Sequence, residues 1–112
     1  MKKGNLMTLL IILAVIILAF WILRKPSSQV DEQTAICIGQ NSELYIKLGC
    51  SACRVQEEMF GNNFKYLNST DCFYDVEKCI NVGITATPTW IINDEKIVGV
   101  QSIEKLKELT GC

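Results

Sequence analysis

The spacing of apolar positions changes character along the chain, and each change marks an element. Leu6 to Leu23 is an uninterrupted apolar run of 18 residues with Thr8 as its only polar member. Wound as an α-helix it reaches ~27 Å, enough to cross a bilayer core. Pro26 to Ser42 is polar, opens with Pro-Ser-Ser and shows little periodicity, so it reads as a tether. Its Ala35-Ile-Cys-Ile38 patch is placed to pack against a domain edge. A strand is expected over Ser42–Leu48, then a helix from Ser51 to about Phe64, with Val55, Met59 and Phe60 on the face of Cys53. Gly61-Asn-Asn63 is a point at which that helix ends or kinks. A weak second strand lies around Ser69–Phe73, and Asp75 caps a short helix through Asn81 that Gly83 closes. Thr87–Ile92 and Lys96–Val100 form a hairpin around Asn93-Asp94-Glu95. Ser102 caps a last helix with Ile103, Leu106 and Leu109 inward and Gly111 after it. The order after the apolar run is β-α-β-α-β-β-α, an α/β domain.

Composition narrows the chemistry. The 112 residues show no internal repeat and hold one small domain at most. Histidine is absent, which removes Cys-His and Ser-His catalysis and any imidazole zinc ligand. The net charge of −1 hides a division: Lys2, Lys3, Arg24 and Lys25 flank the apolar run, and no acid precedes Asp31. From Pro26 onward, seven basic residues face all 12 acidic ones, a poor surface for nucleic acid. Six cysteines in so short a chain point to an oxidising compartment. With Trp21 at its end and no small-x-small cleavage pattern, the apolar run reads as an uncleaved single-pass anchor rather than a signal peptide. The flanking charges orient it weakly, and the cysteine content places the domain outside the cytoplasm.

The stretch Leu44-Tyr-Ile-Lys-Leu-Gly-Cys-Ser-Ala-Cys53 carries the candidate chemistry. An apolar strand ends at Gly49, two cysteines follow three apart, and a helix begins at once. That order sets Cys50 at a helix N-terminus, where unpaired N–H groups and the positive end of the helix dipole favour a thiolate. Cys53 falls one turn later, within reach of a disulfide. A reactive thiolate joined to a reversible disulfide is thiol–disulfide exchange chemistry. Two other readings stay open: a non-catalytic, disulfide-stapled binding module on a membrane tether, and a zinc module with Cys50, Cys53, Cys72 and Cys79 as ligands. The second pair is spaced wider than zinc sites usually allow.

With Ala86-Thr-Pro-Thr-Trp90 opening a later strand, the CxxC resembles the thioredoxin fold. The resemblance implies a cis bond at Thr87–Pro88, with Thr87 pairing with the backbone of an extended substrate. A closer likeness covers nearly all of residues 43–112. It rests on Leu44-Tyr45, Cys50-x-x-Cys53-x-x-Gln56-x-x-x-Phe60, Cys72, Cys79, Gly83-Ile84, Pro88-Thr-Trp90, Ile92-Asn93 and Gly99-Val-Gln-Ser102. This pattern is similar to the thioredoxin-like domains that are fused to, or work beside, vitamin K epoxide reductase homologues. It implies a separate membrane quinone reductase of that type as partner, cysteine-containing proteins as substrates and no cofactor. The expected layout is an anchor over 1–25, a tether over 26–42 and a thioredoxin-like domain with a four-stranded mixed sheet over 43–112.

The chain departs from the family at three points. Gly49 stands where an aromatic residue is usual, Ser51-Ala52 lacks the usual proline or histidine, and Leu44 occupies the position of the buried acid. Proton transfer at Cys53 must then use water, Lys47 or another group, and these residues do not fix the direction of electron flow. Cys72 and Cys79 are expected to form a second disulfide, a staple or an electron relay. In a thioredoxin-like sheet the last helix ends at the pole where the first strand begins, so Cys112 and Cys37 are expected to meet. The alternative is two free thiols at mobile ends.

Overall fold

The computed structural model describes residues 3–24 and 30–112. Lys2, Lys25 and the Pro26–Ser28 start of the expected tether lie outside them. Helix α1 (Lys3–Leu23) buries no residue, and its mean hydropathy of 3.1 makes it long and apolar enough to cross a membrane.

The folded part begins before the first strand. Residues 32–40, expected within the tether, form helix α2 (Glu32–Gln40). Asp31 is its N-cap: the carboxylate accepts from the Thr34 N–H at 3.3 Å and from the Thr34 hydroxyl. These bonds hold the Asp31 carboxyl below its ordinary range. Ala35, Ile38 and Gly39 are buried, and a Cβ at Gly39 would fall on the Tyr66 carbonyl oxygen. The helix therefore packs backbone to backbone where a larger residue would hold it off. Its few apolar positions, three of them small or sulfur-bearing, hide the period in the sequence.

Strands β1 (Glu43–Ile46), β2 (Ser69–Asp71), β3 (Thr89–Ile92) and β4 (Glu95–Val98) form one mixed sheet in the order β2-β1-β3-β4. β1 runs parallel to β2 and antiparallel to β3, and β3 pairs antiparallel with β4. Helices α3 (Ser51–Phe60), α4 (Val76–Val82) and α5 (Ile103–Thr110) complete the βαβαββα order of a thioredoxin-like domain. Leu44, Trp90, Ile92, Phe60 and Leu106 fill the core, each contributing on the order of 1.5–3 kcal/mol by leaving water.

Three local expectations are corrected. The helix after the CxxC ends at Phe60, and Gly61–Tyr66 continues as a 3-10 turn. Gly61 has φ +53°, which a Cβ would disfavour. Val55 is 48% exposed, because the inward stripe of α3 is Cys53, Gln56 and Phe60 at i, i+3 and i+7. Asp75 occupies the N-cap of α4 but its side chain makes no capping bond. Ser102 does cap α5, accepting from the Lys105 N–H at 3.1 Å, and Gly111 closes it in the left-handed conformation.

Candidate functional site

β1 delivers the chain to the C-terminal edge of the sheet, where a tight turn closes through the Cys50 N–H and the Lys47 carbonyl at 3.1 Å. Gly49 takes φ +85° in this turn, a value open to glycine at little cost. Cys50 is then the N-cap of α3, and its Sγ accepts the Cys53 N–H at 3.1 Å. Cys50 and Cys53 are joined by a disulfide with Cα atoms 5.2 Å apart. Cys50 is half-buried, whereas Cys53 lies beneath it at 2% exposure.

Beside this pair comes the segment that opens β3. Thr87 is half-buried, Pro88 is fully buried and the bond between them is cis. The Cys50 Sγ approaches the Thr87 carbonyl oxygen to 3.5 Å. On the other side lies a cleft of about 310 Å³, lined among others by Lys47, Arg54, Glu57 and Asp71. Leu44 is fully buried beneath, so the position that thioredoxins give to a buried acid offers no charge. Lys47 stands at the cleft's edge, on the exposed side of the turn.

Asp71 ties the cleft together. Its Oδ1 accepts from the Leu48 N–H at 3.2 Å and the Phe73 N–H at 2.8 Å. The Cys72 N–H donates to the Ile46 carbonyl at 2.8 Å, so the second cysteine pair begins at the CxxC end of the sheet. Cys72 and Cys79 form a disulfide across the start of α4, with Cα atoms 5.7 Å apart. The four cysteines of the zinc reading are therefore paired two by two rather than gathered around one centre. Cys37 and Cys112 are joined at the opposite pole, Cα to Cα 6.0 Å, and bind α2 to the end of α5.

No protein-family profile matches the chain. It is similar to the thiol-disulfide oxidoreductase LTO1 of Arabidopsis thaliana, 37% identical over 79 residues. The likeness takes in 62% of this chain but only 21% of that protein, so the chain spans about a fifth of its relative. Together with the mixed four-stranded sheet it fits a thioredoxin-like domain.

One residue at the site escaped the reading of the pattern as chemistry. Gln56 matches the resemblance, yet a polar side chain on an amphipathic helix ordinarily faces water. Its spacing from Cys53 and Phe60 was the available signal.

Proposed function

We propose that the chain is a membrane-anchored thiol–disulfide oxidoreductase working outside the cytoplasm on cysteine-containing proteins. The observation that carries this reading is a half-buried Cys50 at a helix N-cap, its sulfur hydrogen-bonded by the Cys53 N–H and lining an open cleft. The same contacts stabilise a thiolate once the disulfide is reduced. The likeness to an oxidoreductase supports redox chemistry over the part of the chain it covers.

In the reducing direction the Cys50 thiolate attacks one sulfur of a substrate disulfide. The S–S bond breaks, the other substrate sulfur leaves as thiolate, and a mixed disulfide forms. Cys53 loses its proton to water entering from the cleft, and its thiolate attacks the Cys50 sulfur. The Cys50–Cys53 bond closes and the second substrate thiolate leaves. Two electrons pass from the cysteine pair to the substrate, and the reverse sequence oxidises it. Thr87 offers its backbone to an extended substrate chain next to Cys50. Residues 1–25 act as anchor, and a quinone reductase of the vitamin K epoxide reductase type, carried on another chain, exchanges electrons with the pair.

A Cys53→Ser variant should accumulate mixed disulfides through Cys50, seen as adducts lost on reduction. Trapping by Cys50→Ser instead would reverse the two roles. For the orientation, spheroplasts of a bacterial host are treated mildly with reductant and then with a membrane-impermeant maleimide. Labelling of Cys50 is expected in intact spheroplasts, and labelling only after lysis would overturn the placement.

A further inference from the structure

The helix that presents Cys50 and Cys53 carries one polar side chain on its buried face. Gln56 is fully buried, one turn beyond Cys53. A primary amide has two donor and two acceptor positions, and here all four are engaged. Oε1 accepts from the Trp90 indole N–H at 3.0 Å and from the Gln101 backbone N–H at 2.7 Å. Nε2 donates to the Gln101 carbonyl at 3.0 Å and faces the Met59 sulfur at 3.5 Å. The two N–H groups can only donate and the carbonyl only accept, so the amide has one orientation. A methionine or leucine would fill the same space without the cost of burying polar atoms. Packing alone does not call for this residue.

Its partners supply a reason. Trp90 stands two residues beyond Pro88 on β3. Gln101 lies in the loop after β4, where the Gly99 N–H donates to the Pro88 carbonyl at 2.8 Å. The Gln101 side chain stiffens the same loop by donating to the Gly99 carbonyl at 3.2 Å. Gln56 thus fastens α3 to both segments that hold Thr87–Pro88. At the head of the same helix the Cys50 sulfur meets the Thr87 carbonyl oxygen at 3.5 Å. Apolar contacts fix separation but are non-directional, whereas hydrogen bonds also fix rotation and slide. We infer that Gln56 is a positioning residue that sets the register of α3 on β3, and so the place of the Cys50 sulfur against Thr87. The inference rests on the thiol–disulfide reading above.

The test uses the full chain in detergent micelles as Gln56→Met and Gln56→Glu variants. Three quantities are read: the Cys50 thiol pKa by thiolate absorbance, the Cys50–Cys53 equilibrium against glutathione, and the unfolding midpoint. None needs a protein substrate, so they report on Gln56 even if exchange with proteins fails. For Gln56→Met the Cys50 pKa should rise by about half a unit as the helix end shifts. Above that pKa the glutathione equilibrium should move about threefold toward the disulfide, because the stabilised thiolate belongs to the reduced form. In Gln56→Glu a protonated acid accepts from Trp90 and Gln101 and donates to the Gln101 carbonyl, preserving the parent equilibrium. Its ionisation sets a carboxylate against that carbonyl, and the shift should appear as the pH rises through this step. A lowered midpoint with parental pKa and equilibrium would make Gln56 merely structural and overturn the inference. Should Gln56→Met fail to fold, a Gln56→Glu equilibrium that ignores its carboxyl ionisation overturns it equally.

Discussion

The two poles of the domain use the same covalent bond for opposite ends. At the CxxC pole the bond spans three residues, sits at a helix N-cap and borders an open cleft. At the far pole Cys37–Cys112 spans 75 residues and binds α2 to α5 over packed core. Joining residues three apart removes little freedom from the unfolded chain, whereas joining distant ones removes much. The first bond therefore costs little to open and the second a great deal. A cysteine's role is set by what its partner constrains and by what surrounds its sulfur, not by being paired.

Substitutions at the two poles should separate these effects. Cys50→Ser should abolish thiol exchange with a peptide disulfide while the unfolding midpoint in denaturant stays near the parent value. A large loss of stability would erase the contrast. Removing Cys37 and Cys112 together should do the reverse, lowering stability by up to roughly 4 kcal/mol in the chain-entropy model while exchange continues in the folded protein. Denaturant melts under non-reducing conditions measure it. Gly39→Ala adds one methyl group where α2 meets the Tyr66 carbonyl, and overpacking of this kind costs typically 1–3 kcal/mol. An unchanged midpoint would mean that the far pole yields more easily than its packing implies. The smallest effect belongs to Asp31→Ala, a fall of a few degrees in Tm at neutral pH. The Asp31 carboxyl titrates below its ordinary 3.8, so its contribution is present above that value and fades as the pH falls through the lowered one. Parent and variant melts should converge there.

The near pole was legible, and at the far pole the meeting of Cys37 with Cys112 was expected while the helix that carries Cys37 was not. An apolar strand, a glycine and then a cysteine at a helix start place Cys50 by local rules, and Ser102 and Gly111 bracket α5 as firmly. The hairpin of β3 and β4 follows from two short runs rich in β-branched residues on either side of Asn93 and Asp94, both at positive φ. Helix α2 was hidden because its apolar residues run together over 35–38 instead of recurring at helical spacing, and because it seats Gly39 on a turn that is distant in sequence. Asp31 three residues before Thr34 was the local sign of its start. Val55 was expected inward and is exposed, because Gln56 takes the buried place beside it: polarity predicts burial on average, and a saturated hydrogen-bond network overrides it.

The Cys37–Cys112 bond also changes what a protease can do to this molecule. Any single cut between those two residues leaves both fragments covalently joined, so the CxxC stays attached to α1. Among cuts beyond α1, only one before Cys37 separates the domain from that helix in one step. A chain nicked between the two cysteines would run as one species until reduced, and separation from α1 by a single cut beyond that helix is confined to a stretch of about a dozen residues.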